Sequence, residues 1–183
     1  PFMSIVNTFS LQSNRQIKIN FDGGDLSSDA GLLLIKEFAT KIGFVKLIKK
    51  KFKTNDKSIR FHKDHENLLQ MIYQIISAYF QDDCADELTL DPVFHAVLDK
   101  ESLASQPTLS RFFNRMDEDT LLQFNDIDKN LRDIVYSIKR PEHVLLDLDS
   151  TLLGTYGKQE GEGFNFHYQA HGYHPLLCYD GLT

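Results

Sequence analysis

The spacing of apolar residues along the chain changes once. From Ala30 to Ile138 they recur at helical spacing, and beyond Pro141 they fall into short runs and alternations that fit strands. Ser27-Ser28-Asp29 reads as an N-cap before a helix over Ala30–Lys41, with Leu32, Leu33, Ile35, Phe38, Ala39 and Ile42 on its apolar face and Gly43 as its stop. A short helix over Phe44–Phe52 follows, then a polar connector over residues 54–64. From His65, Leu68, Leu69, Ile72, Ile75, Ile76, Tyr79 and Phe80 form one helical stripe, broken at Gln81-Asp82-Asp83. Asp91-Pro92 opens a helix through Leu98, with proline in its first turn. Another starts at Pro107. The longest helix runs from Asp117 to Ile138, with Leu121, Phe124, Ile127, Leu131, Ile134, Val135 and Ile138 on its buried face. Ahead of all these, Gln16–Phe21 alternates like a strand and ends in a turn at Asp22-Gly23-Gly24-Asp25. That glycine pair lacks the spacing and lysine of a phosphate loop.

After Lys139-Arg140-Pro141-Glu142, three strands are expected, at His143–Asp149, Phe164–Ala170 and Leu176–Tyr179. A glycine-rich loop over Gly154–Gly163 and turns at His171–Pro175 and Asp180-Gly181 separate them. The fold class is therefore α+β: a mainly helical region over residues 1–140, then an antiparallel meander over 141–183. Three strands with open edges and no covering helix do not finish a domain, so the sequence is expected to be truncated.

Composition adds constraints. The 183 residues carry a formal charge of −6, 42% hydrophobic and 25% charged residues, which fits a soluble globular protein. No global positive field advertises nucleic acid, although local patches can bind phosphate in an acidic chain. Cys84 and Cys178 form no CxxC, which argues against a zinc or disulfide framework. No signal peptide or apolar span is present, and a reducing, cytoplasmic setting without membrane association is expected.

Two surfaces are candidates for phosphate contact. Lys49-Lys50-Lys51-Phe52-Lys53 is a basic run, although such a run is usually only a solvated helix terminus favoured by the dipole. Leu103–Arg115 has the form of two helices joined by a short polar turn. Its second helix would display Gln106, Thr108, Arg111, Asn114 and Arg115 around buried Leu109 and Phe112, and those side chains can contact phosphates and base edges. An ordinary helical hairpin is the plain alternative.

The stretch with the most chemistry is His143–Leu153. An apolar run leads into Asp147 and Asp149, which on a strand share a face. Burying two carboxylates side by side is costly, so a divalent cation is expected between them. A simple turn at Asp149-Ser150 is the alternative. His167 and His171 also share a face if their segment is extended, but there is no His-Glu-x-x-His. These two and His174 read as polar or DNA-facing groups.

Leu145-Leu146-Asp147-Leu148-Asp149-Ser150-Thr151 resembles the first motif of haloacid-dehalogenase phosphohydrolases. That resemblance implies Asp147 as nucleophile, Asp149 as general acid and Mg²⁺ beside them. It also requires a parallel sheet with crossover helices. A second resemblance covers more of the chain. Leu26–Leu34, Leu103–Arg111, Leu146–Thr151, Tyr156–Gly161 and His167–Leu177 resemble, in order, bacterial insertion-sequence transposases of the thirteen-eighty group, within the DDE superfamily. The resemblance implies the first strands of a ribonuclease H-like core. It also implies Mg²⁺ or Mn²⁺ held by Asp149 first and Asp147 second, DNA ends as substrate, strand cleavage and transfer, and a possible homodimer. The later Asp and Glu of the triad have no matching positions here. A non-catalytic DNA-binding or oligomerisation fragment is the third reading.

Overall fold

The structure is a computed structural model that describes residues 8–21, 23, 26–81 and 83–181. Among these, two strands precede seven helices and five strands follow, and the sheets are small and antiparallel. The chain divides into two compact units, Pro1–Ile134 and Val135–Thr183.

The first unit opens with β1 (Thr8–Ser10) antiparallel to β2 (Lys18–Asn20), and Phe9 faces Ile19 in the ladder. The alternation at Gln16–Phe21 thus marks a real strand, while its three-residue partner is too short to show a period. The Asp22–Asp25 turn lies outside the described residues except for Gly23. Helix α1 (Leu32–Lys41) starts two residues later than its pattern predicts. Asp29 is not its cap; the Asp29 carboxylate accepts the Tyr79 hydroxyl at 3.0 Å instead. Gly43, at φ +76°, ends α1 and begins α2 (Phe44–Lys51) in a single left-handed residue.

Helix α3 (Asp64–Ile76) is shorter than its stripe implies. Ala78 at φ +65° turns the chain, which takes Tyr79 and Phe80 off the helix and leaves Ile75, Ile76 and Phe80 exposed. Tyr73 is buried in their place. A short α4 (Cys84–Leu88) had no signal of its own. Helix α5 (Pro92–Leu98) is capped by the Asp91 side chain, which accepts from the Val93 and Phe94 amides at 2.7 and 3.1 Å. Helix α6 (Gln106–Phe113) follows, and then α7 (Glu118–Ile138). Ile127 of α7 is buried and Phe124 and Leu131 pack beside it, but Leu121, Val135 and Ile138 are exposed. The stripe on α7 is longer than the core it meets.

Helix α3 sits between two cores. Tyr73 joins Leu11, Leu33, Phe94 and Val97 on one side, and Leu68 and Leu69 join Ile48, Phe52, Phe112 and Ile127 on the other. Buried Gln70 clasps the loop ahead of α6 by donating to the Ala104 carbonyl and accepting the Ala104 amide, both at 2.8 Å.

In the second unit, β3 (Leu146–Ser150) pairs antiparallel with β7 (Leu176–Asp180), Asp147 opposite Tyr179 and Asp149 opposite Leu177. Beside them, β4 (Leu153–Gly154), β6 (Ala170–Tyr173) and β5 (Gly163–Asn165) form a sheet in that order. The expected consecutive meander is therefore corrected. Its first strand pairs with its third, and its second divides into a hairpin. Asn165 makes the division: its Oδ1 accepts the His167 and Tyr168 amides at 2.8 and 3.3 Å, closing a local turn. The turn expected at His171–Pro175 is strand as far as Tyr173.

All five β3 residues are exposed, as are Val144 and Leu145, so the apolar run is not the buried strand its composition suggests. A two-stranded ribbon leaves both its faces open. Gly172 is the tightest point of the unit, because a Cβ there would lie 2.4 Å from the Leu153 carbonyl oxygen. Gly172→Ala is expected to break the β4–β6 pairing at a cost of about 1–3 kcal/mol, read as faster amide exchange at Thr155, whose N–H reaches His171 O.

Candidate functional site

Asp147 and Asp149 lie two residues apart on β3 and so share a face of the ribbon. Both are exposed. The expected burial penalty is absent, since water solvates each carboxylate. The strand is fastened just past Asp149: the Tyr168 hydroxyl donates to Ser150 O at 2.7 Å and lies 3.0 Å from Ser150 Oγ. The Tyr168 ring stacks on His174 with centroids 5.9 Å apart and planes 13° from parallel. Thr151 N–H donates to Pro175 O at 3.2 Å.

Two carboxylates supply hard oxygen donors of the kind Mg²⁺ or Mn²⁺ takes. Among the described residues no third His, Cys, Asp or Glu joins them into a metal-holding group. The histidines do not make one of their own. His167 sits in the Asn165 turn, His171 packs its ring on Phe164 at 5.2 Å, and His174 lies on Tyr168.

Helix α6 presents its polar residues unequally. Arg111 and Asn114 are exposed. Thr108 is engaged locally, its Oγ1 3.2 Å from Ser105 Oγ and 3.4 Å from Arg111. The Gln106 amide donates to Asp86 at 2.8 Å. Arg115 turns inward: it pairs with Asp64 at 3.1 Å, donates to Arg111 O at 2.9 Å and lies over the Phe112 ring. These contacts tie the end of α6 to the start of α3. In the basic run, Lys49 and Lys50 are exposed, whereas Lys51 pairs with Asp126 at 2.6 Å.

The connector after α2 carries more charge than its polar character suggested. Seven of the chain's 20 Lys and Arg residues fall between positions 49 and 65, against two of its 26 acidic residues. Lys57, Arg60 and Lys63 belong to this set and were not singled out from sequence. A running charge sum would have found them.

Asp64 organises the connector. It accepts the Thr54 amide at 2.9 Å, the Thr54 hydroxyl at 2.7 Å, and Arg60 and Arg115. Burial acts to raise its carboxyl, but these donors outweigh it and hold the pKa below the usual range. Burial lowers the nearby His62 and His65 imidazoles, with Lys100 adding to the effect at His62.

Paired carboxylates thus share one face of an antiparallel strand in a mixed α/β protein with a helical first unit. The chain belongs to the family described as transposase DDE domain group 1, which matches residues 9–183. Neither a curated protein nor a solved structure matches it. No helix among the described residues is long and apolar enough to cross a membrane.

Two stability outcomes follow from the connector. Asp64→Ala leaves Arg115 without its carboxylate in a partly buried site and should cost roughly 2–3 kcal/mol in urea unfolding. Stability should also fall with acid in two stages. The lowered histidines favour their neutral forms in the folded chain, so their contribution is complete above 6.5 and declines as pH falls below it. Asp64 and Glu66, also lowered, contribute fully above their ordinary values of 3.8 and 4.5 and lose that contribution below them. A urea midpoint measured against pH checks this, and His62→Gln/His65→Gln should flatten the upper stage alone.

Proposed function

We propose that this chain belongs to the thirteen-eighty group of insertion-sequence transposases, binds insertion-sequence ends and carries acidic ligands for DNA strand cleavage and transfer. The observation that carries the reading is the transposase family match across residues 9–183, with Asp147 and Asp149 on one face of an antiparallel strand inside it. In this reading the second unit supplies the opening strands of a ribonuclease H-like core. Asp149 is the principal ligand for Mg²⁺ or Mn²⁺, and Asp147 supports it. The metal, when bound, polarises the attacking water or 3′-hydroxyl and neutralises charge on the leaving oxygen. The Ser150–Thr151 peptide is held at its carbonyl by Tyr168 and at its amide by Pro175, so the Asp149 carboxylate projects from a pinned strand end. On the first unit, Arg111 and Asn114 of α6, with Lys49 and Lys50, face the DNA.

The phosphohydrolase reading is less well supported. It requires a parallel neighbour for the strand of Asp147, and the partner of β3 is antiparallel. Asp149→Ala is expected to abolish Mg²⁺-dependent cleavage of end DNA by the active transposase while leaving DNA binding nearly intact. Asp147→Ala should reduce cleavage less. Arg111→Ala should weaken binding and reduce its log–log salt slope by about 1. Trapping a phosphate mimic on Asp147, with small-substrate hydrolysis and no DNA cleavage, would replace this reading with the phosphohydrolase one.

A further inference from the structure

One cleft in the first unit has its acidic groups neutralised from within and its lysines left to solvent. It encloses about 430 Å³ between the end of α2, the connector and the start of α3. Its carboxylates are Asp56 and Asp64. Asp56 accepts the Ser58 hydroxyl at 2.7 Å and amide at 2.9 Å and pairs with Arg60; the two Ser58 bonds first, and Arg60 after them, pull its carboxyl down to about 2. Asp64 is held by Thr54, Arg60 and Arg115. Lys49, Lys53, Lys57 and Lys63 also line the cleft; all four are exposed, and none makes an ion pair among the described residues.

The backbone carrying these lysines is fixed. The Gln123 side chain of α7 accepts the Lys53 amide at 2.9 Å and donates to its carbonyl at 3.1 Å. Asn55 donates to Asp117 and Asp119, and the Lys63 amide donates to Glu66 at 2.9 Å. Four solvated ammonium groups thus stand on a pinned, open trough in a chain whose formal charge is −6. Of the two rings in the lining, Phe52 is buried against Phe112 and Phe124 and His65 is only partly exposed, so neither lies open as a stacking platform. That favours a backbone of phosphates over unstacked bases.

We propose that this trough binds the phosphate backbone of duplex DNA, through Lys49, Lys53, Lys57 and Lys63. The choice of duplex DNA as the polyanion rests on the transposase reading; the cationic trough does not. The test measures anisotropy of a labelled random-sequence duplex with the full chain, from about 50 to about 200 mM salt. Lys53→Ala/Lys57→Ala/Lys63→Ala should flatten the log–log salt slope by about 3, one per lost phosphate contact. Lys18→Ala/Lys129→Ala/Lys139→Ala removes the same charge elsewhere and should leave the slope within about 1 of the parent. The single reversal Lys57→Glu, on the exposed connector, should weaken binding in the same direction and guards against misfolding of the triple variant. Wild-type slope in the cleft variants would overturn the proposal and leave the transposase reading standing. Equal losses from both triples would also overturn it, by reducing the effect to net charge. Absence of any salt-dependent duplex binding by the parent chain would remove both.

Discussion

A single carboxylate at the first turn of α3 sets the geometry of the most highly charged part of the molecule. Asp64 receives Thr54 from the connector behind it, Arg60 from the connector beside it and Arg115 from the end of α6. Its place at a helix N-terminus favours the charged form, and its four donors offset the loss of water. With Asp64 so engaged, the path of residues 54–63 is fixed at both ends, and Arg115 holds α6 against α3. The same bonds cancel the acid that would otherwise neutralise the neighbouring lysines. Folding and surface potential therefore depend on one group.

Polar ties of this kind recur where the two cores leave gaps. Gln70 replaces a missing secondary-structure partner for the Ala104 backbone, and both of its bonds are buried. Lys36, only 4% exposed, reaches the Ala96 carbonyl and the Asp99 carboxylate, so α1 holds the end of α5 through a charge-assisted contact. Asp99 sits at φ +52°, a conformation that asparagine and aspartate tolerate better than most residues. The loop between α5 and α6 is thereby held at Asp99 and again at Ala104. Whatever α6 presents outward is presented by a braced helix.

Much of this was legible in the sequence where a local rule decides the outcome. Asp91-Pro92 caps and opens α5, Gly43 separates two helices, and the change of period after Pro141 marks where strands begin. Periodicity fails where long-range packing decides. The stripe from Leu68 to Phe80 continues past the true end of α3, because nothing in it announces that Ala78 will adopt positive φ. The apolar run at Val144–Leu148 has strand composition, yet burial depends on a covering layer that composition does not report. Asn165 divides an apparent strand through one side chain accepting two amides, a signal present in the sequence but weaker than the alternation around it. Arg115 and Arg111 are indistinguishable by type and spacing. Only the position of Asp64, 51 residues away, makes one a strut and leaves the other exposed.

The exposure of Asp147 and Asp149 changes what kind of site they can form. Two exposed carboxylates in water repel by only about 1 kcal/mol even at about 4 Å, so the fold itself does not depend on a cation between them. A buried pair would have made metal part of the fold; this pair makes no such demand. Mg²⁺ in particular is commonly held by one or two carboxylates together with substrate phosphates and retained water. On the transposase reading, the phosphates of the DNA are then the further donors, and occupancy is tied to substrate rather than to folding. Rigidity at such a site must come from the backbone. Tyr168 on the Ser150 carbonyl and Pro175 on the Thr151 amide provide it, which is why the strand can be open to solvent on both faces and still aim its carboxylates.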